Sequence, residues 1–187
     1  MKKKPLGFTL VELMAALAII TVSLTVVIPA FSTQIKSINT SLSTNELLGI
    51  FQFARSSALK RNSFITLCPT NNQVECSDDW RDPIIVFLDP EKVETISSES
   101  QILRIFQPIS SGDILLGSIS LGRKYFQYNS QGYTNGTAGN LIYCPKDKDI
   151  RFARQLVVSL QGRPRLSPDT DDDGIIEDRN GNDLSCE

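Results

Sequence analysis

The strongest pattern in the chain lies at its start. From Phe8 to Phe31, 24 residues carry a single charge, Glu12. A helix of that length reaches about 36 Å, enough to cross a hydrocarbon core of about 30 Å. Lys2, Lys3 and Lys4 precede it, which predicts a cytoplasmic N-terminus and a C-terminal part on the far side. The apolar run is too long for the core of an ordinary signal peptide. Beyond it, Leu42, Leu47, Leu48, Ile50, Phe51, Phe53, Ala54, Ala58 and Leu59 recur at helical spacing, while Asn45, Glu46, Gln52, Arg55, Ser56 and Lys60 suit the opposite face. The helix is expected to run to Arg61 and end at Asn62. Pro29 removes one internal hydrogen bond and is a place for a bend.

After Asn62 the pattern changes to short β-prone runs. These are Phe64–Cys68, Ile84–Leu88, Ile102–Phe106, Ile114–Leu116, Lys124–Tyr128, Asn140–Cys144 and Gln155–Leu160. Glu91–Gln101 and the Gly-containing stretch Asn135–Gly139 read as loops, and Gln161-Gly162 breaks the last run. Strands following one long helix predict an α+β head, with a mainly antiparallel sheet covering the apolar face of the helix.

Charge divides the chain further. Residues 8–167 hold 15 Lys/Arg and 13 Asp/Glu, whereas residues 168–187 hold one basic and eight acidic residues. There is no histidine, so the commonest metal ligand and general base is missing. No local pattern sets a base against a nucleophile, and the sequence does not read as an enzyme. Cys68, Cys76, Cys144 and Cys186 allow three disulfide pairings.

A plain membrane anchor leaves Glu12 unexplained, because a carboxylate in lipid is costly and needs a partner. Lys-Pro-Leu-Gly-Phe-Thr-Leu-Val-Glu-Leu-Met, residues 4–14, resembles the class III leader and cleavage site of type IV pilins and type II secretion pseudopilins. The resemblance implies that an inner-membrane prepilin peptidase cuts between Gly7 and Phe8 and methylates the new amino terminus. It also implies that Glu12 pairs with the N-terminal amine of a neighbouring subunit in a filament. An ammonium and a carboxylate that both lose hydration offset each other's cost. In the head, Leu47–Asn62, Thr66-Leu67-Cys68-Pro69, Cys76, Trp80, Ile85–Asp89, Leu141–Pro145, Ala153-Arg154 and Val157–Arg163 are similar to the H-type pseudopilin and FimT-type minor pilin family.

That family implies the type IV pilin fold, a long N-terminal helix packed on a β-rich head. The expected organisation is a leader at 1–7, a membrane and filament-core helix at 8–31, its amphipathic continuation at 32–61, a head at 62–167 and an acidic tail at 168–187. The subunit would wait in the inner membrane with its head in the periplasm and leave by joining a pilus or periplasmic pseudopilus. Its partners would be other pilins. An oxidising compartment permits disulfides, and the pairs expected are Cys68–Cys76 and Cys144–Cys186, the second tying the acidic tail to the sheet.

Two further clusters carry chemistry. Arg151, Arg154, Arg163 and Arg165 fall within 15 residues uninterrupted by an acid. Guanidinium forks suit phosphate. Gly162-Arg163-Pro164-Arg165 resembles the Gly-Arg-x-Arg motif with which FimT-type minor pilins bind DNA in natural transformation, and this implies double-stranded DNA as a partner. Lys60 and Arg61, or Arg123 and Lys124, are candidates to widen the patch. Related secretion pseudopilins can share a Gly-Arg end to the last strand, so type II secretion is the alternative, and a purely structural pilus-assembly role is another. In the tail, Asp169, Asp171, Asp173 and Glu177, with Gly174 between them, follow the start of a calcium loop. The twelfth position is Asn180, where such loops carry a bidentate Glu, and Asp178 or Asp183 is a possible substitute. Calcium is therefore the one candidate cofactor.

Overall fold

The computed structural model describes residues 9–107 and 112–187, and of residues 25–30 the backbone alone. Gly7 and Phe8, where processing is expected, lie outside the described residues. Two units are distinguished, one ending at Ile38 and one running Asn39–Glu187.

Helix α1 spans Leu10–Arg61 and is helical across Pro29. Its first turn is closed by a capping box. The Thr9 amide and hydroxyl donate to Glu12 Oε2, both at 3.0 Å, and the Glu12 amide donates to Thr9 Oγ1 at 3.3 Å. The other end stops at Asn62, whose φ of 50 is left-handed. The Ser63 amide then reaches back to the Ala58 carbonyl, the bond of a Schellman motif. Among the described residues, no helix is long and apolar enough to cross a membrane. Phe8 and the side chains of residues 25–30, which contribute to the expected span, are not among those described.

Among the described residues, the head contains eight strands in two four-stranded antiparallel sheets. These are β1 Ile65–Pro69, β2 Ile84–Leu88, β3 Ile102–Phe106, β4 Ile114–Ile119, β5 Phe126–Tyr128, β6 Gly139–Cys144, β7 Arg154–Val158 and β8 Pro164–Leu166. The first sheet runs β3-β2-β1-β5 and the second β4-β6-β7-β8. The helix face Leu47, Ile50, Phe51, Ala54 and Ala58 meets Ile65, Leu67 and Val86 of the first sheet and Leu115, Leu141 and Leu156 of the second in one core. Phe51 is wholly buried and stacks edge-on against Phe126 at 4.9 Å. Burying such a ring stabilises the fold by about 2–3 kcal/mol. Trp80 joins the sheets. Its ring packs on Phe126, and its indole occupies the place a side chain on Gly117 would take.

The far faces are covered too. Cys68, Ile85, Phe87 and Ile96 form a second cluster, closed by the Cys68–Cys76 disulfide. On the second sheet, Ile114 and Ile142 pack with Cys144, Ala153, Ile176, Leu184 and Cys186. The acidic tail is thus folded onto the head, and the Cys144–Cys186 disulfide fastens it there.

A buried polar network ties the first sheet together. Asp89 Oδ2 accepts from the Thr66 hydroxyl at 2.7 Å and from Gln127 Nε2 at 3.0 Å, and Asp89 Oδ1 accepts from the Val93 amide. Gln127 Oε1 in turn accepts from Asn135 Nδ2 at 2.7 Å. Buried polar groups are tolerated when satisfied in this way.

Candidate nucleic-acid interface

The turn after β7 is built around Gly162. Its amide bonds back to the Ser159 carbonyl, and its φ is +74, a conformation that glycine adopts without strain. It lies against the turn at Asn129–Gly132. That second turn is rigid, because Asn129 Oδ1 accepts from the amides of Gln131 and Tyr133 while the Gly132 amide donates to the Asn129 carbonyl. Thr134 donates its amide to the Leu160 carbonyl and closes the two turns together. Arg163 follows directly and is exposed.

Arg165 lies in β8 opposite Val157 of β7. Leu156 and Val158 point into the core, so the two-residue period of a strand puts Val157 and Arg165 on the outer face. Arg165 lines a groove of about 800 Å³ together with Gln155, Glu177, Asp178 and Arg179. Neither Arg163 nor Arg165 forms a salt bridge among the described residues.

Arg151 and Arg154 are placed differently. They precede or open β7, whereas Arg163 follows its end and Arg165 lies opposite Val157, so most of the strand lies between the two groups. Arg151 forms a two-pronged pair with Asp149, at 2.9 and 2.7 Å, and this bond holds its pKa above the usual value. Arg154 donates to the carbonyls of Arg151 and Ala153. Its burial lowers its pKa, against the attraction of Asp169. The four arginines that cluster in sequence therefore divide into a pair held by acceptors and a pair whose guanidiniums have no acceptor among the described residues.

Of the neighbouring cations, Lys124 pairs with Asp78 at 3.4 Å, and Arg123 donates to the Asn135 carbonyl. Lys60 and Arg61 are exposed at the end of α1. Arg55, which the sequence pattern places among ordinary polar helix positions, reaches the Asn129–Gly132 turn and donates from Nε to the Gly132 carbonyl at 3.0 Å.

The tail loop is ordered by its own carboxylates. Asp169 accepts from the amides of Asp172 and Gly174, and Asp173 from that of Ile175. Ile176 is buried and anchors the loop. One carboxylate oxygen from each of Asp169, Asp171, Asp173 and Glu177 falls within 4.8 Å of the others. Asp178 and Asp183 are not in this group. Asp178 instead accepts from the amides of Asn182 and Asn180, which lower its pKa.

Residues 43–162 match the family model described as type II transport protein GspH, and residues 2–28 match that of the prokaryotic N-terminal methylation motif. No curated protein sequence matches the chain. In fold, the chain is similar to the type IV minor pilin FimU of Pseudomonas aeruginosa strain PAO1 in two crystal forms. One has 18% identity, a TM-score of 0.54 and coverage of 68% of this chain and 87% of that one. The other has 19% identity, a TM-score of 0.51 and coverage of 68% and 92%.

Proposed function

The chain belongs to the GspH family of type II transport proteins, and from that premise we propose that it is a minor pilin that binds double-stranded DNA in natural transformation. Pilins and pseudopilins are structural subunits and substrates of prepilin peptidase, and this chain is one of them and not an enzyme. Its N-terminal segment is cut between Gly7 and Phe8, anchors the subunit in the inner membrane with the head in the periplasm, and then enters a filament. Glu12 is capped by Thr9 within its own chain, and a neighbour's amine replaces that partner on assembly.

The observation that carries the DNA reading is the state of Arg163 and Arg165. Both are exposed, both lack an acidic partner among the described residues, and Arg163 stands on a turn locked by Gly162. Such groups can follow a phosphate backbone without reading sequence. The test is a duplex mobility shift with the full chain in detergent micelles. R163A with R165A is expected to abolish most of the shift, and retention of full binding would sink the reading.

The family match itself favours a second reading, an H-type pseudopilin of type II secretion. That role predicts co-purification with other pseudopilins and no DNA shift.

For the tail we propose a calcium site, supported by the four converging carboxylates. Asp169, Asp171, Asp173 and Glu177 would supply hard oxygen ligands of the kind calcium takes.

A further inference from the structure

We infer that the DNA-binding surface is a composite tip in which Arg55, Lys60 and Arg61 of α1 join Arg163. This rests on the DNA reading above and extends it to a second element of the fold.

The first observation is a chain of contacts. The Arg55 Nε donates to the Gly132 carbonyl at 3.0 Å. A Cβ on Gly162 would lie 2.0 Å from that same carbonyl oxygen. The Arg55 guanidinium and the turn that carries Arg163 thus share one backbone oxygen as neighbour. Leu59 approaches Gly132 as well, with both methyl carbons 3.3 Å from where its Cβ would be. This places the last turns of the helix beside the Gly162 turn. Lys60 and Arg61 follow Leu59 and are exposed.

The second observation is independent of those contacts. The segments that meet here contain no acid. The chain has no Asp or Glu between Glu46 and Glu75, between Asp113 and Asp147, or between Asp149 and Asp169. The first segment brings Arg55, Lys60 and Arg61, the second the Asn129–Gly132 turn, and the third Arg163 and Arg165. Elsewhere in the head, Arg81 sits against Asp79 and Arg151 against Asp149. Arg165 shares its groove with Glu177 and Asp178 of the tail, but Arg55, Lys60, Arg61 and Arg163 form no salt bridge among the described residues, and a basic surface of that kind attracts a polyanion.

The geometry also assigns a role to the Arg55 fork. Nε is spent on Gly132, which fixes the plane of the guanidinium. No other bond or ion pair of Arg55 is formed among the described residues. Its two terminal nitrogens are the donors that take a phosphate side by side.

Lys60 and Arg61 also suit the negative end of the helix dipole, so the test must separate binding from stability. The slope of log affinity against log salt does so, since it reports released counterions at about 0.9 per phosphate contact. It is measured with the full chain in detergent micelles and a mixed-sequence duplex. K60Q with R61Q is expected to lower the slope by about 2. K146Q with K148Q removes the same charge after Cys144, at the opposite end of the second sheet, and is expected to leave the slope unchanged. R55K keeps the charge and loses the fork, and a several-fold loss of affinity is expected. If wild type binds and R163A with R165A weakens it, but K60Q with R61Q matches the K146Q/K148Q control, the composite tip is wrong and the DNA reading stands. If wild type does not bind at all, the DNA reading itself falls.

Discussion

Gly162 lies so close to Gly132 that a Cβ on the first would sit 2.0 Å from the carbonyl oxygen of the second. The glycine that precedes Arg163 is therefore fixed by contact as well as by its φ of +74. Gly162→Ala is expected to cost about 2–4 kcal/mol. Gly174 also has a positive φ, but nothing lies within 4 Å of its Cβ position, so Gly174→Ala should cost only about 1 kcal/mol. Urea unfolding of the two variants side by side checks this. Equal costs would mean that the Gly132 contact does not matter.

Asp89 has a comparable standing among the buried polar groups. Asp89→Ala would strip the acceptor from Thr66, Gln127 and the Val93 amide at once. Leaving such donors unsatisfied in the interior is expected to cost about 3–5 kcal/mol. Asp89→Asn keeps one oxygen and should recover part of the loss. The measurement is the shift in denaturation midpoint, and a neutral Asp89→Ala would contradict the network.

The two disulfides should differ in worth. Cys144–Cys186 closes a separation of 42 residues and Cys68–Cys76 one of 8. The chain-entropy model gives about 4 kcal/mol for the first and about 2.5 kcal/mol for the second. Paired serine variants, compared by thermal unfolding, should keep that order.

Alkaline pH gives a separate handle. Burial, aided by the Asp113 carboxylate that accepts from its hydroxyl, pushes Tyr143 up to about 12. Burial does the same for Tyr125, with Glu94 beside it, to about 12. Tyr128, the more deeply enclosed, is raised further. An unfolded tyrosine ionises near pH 10, so the folded state holds these protons more tightly. Their contribution to stability is complete below about pH 10 and is lost as pH rises toward 12. Phenolate absorbance should show Tyr125 and Tyr143 titrating near pH 12 in the folded head. Titration of both near pH 10 without unfolding would refute this.

If the tail binds calcium, the ion should raise the melting temperature, because binding to the folded state alone adds stability by mass action. D169N with D173N should remove the calcium response while leaving the fold. A melting temperature unmoved by millimolar calcium or by chelator would exclude the site.

Much of this architecture was legible from local chemistry. Asn62 carried the end of α1 because a short polar side chain tolerates the left-handed turn that the cap requires. β2 and β3 match the apolar runs that predict them. β8 was not legible, since Pro164 and Arg165 are poor strand residues and only pairing with β7 makes this segment a strand. The sequence pattern also leaves open that β5 joins β1 while β4 joins β6. Pairings over such distances are fixed by tertiary packing, and so is the Asp89–Gln127 bond. The arginine cluster shows both sides of this. The pairing of Arg151 with an acid two residues away could be seen locally. The meeting of Arg55 with the Gly162 turn, across more than a hundred residues, could not, although the long acid-free segments were there to be noticed.

The bond between Cys144 and Cys186 also has a consequence in time. Cys186 lies 42 residues beyond Cys144, so the link cannot close until the intervening segment has been synthesised and folded back onto the second sheet. A subunit cut short keeps an unmatched thiol at Cys144 and lacks the Leu184 and Ile176 that cover it. A head whose tail has not docked therefore carries a reactive sulfur that distinguishes it from one whose tail has.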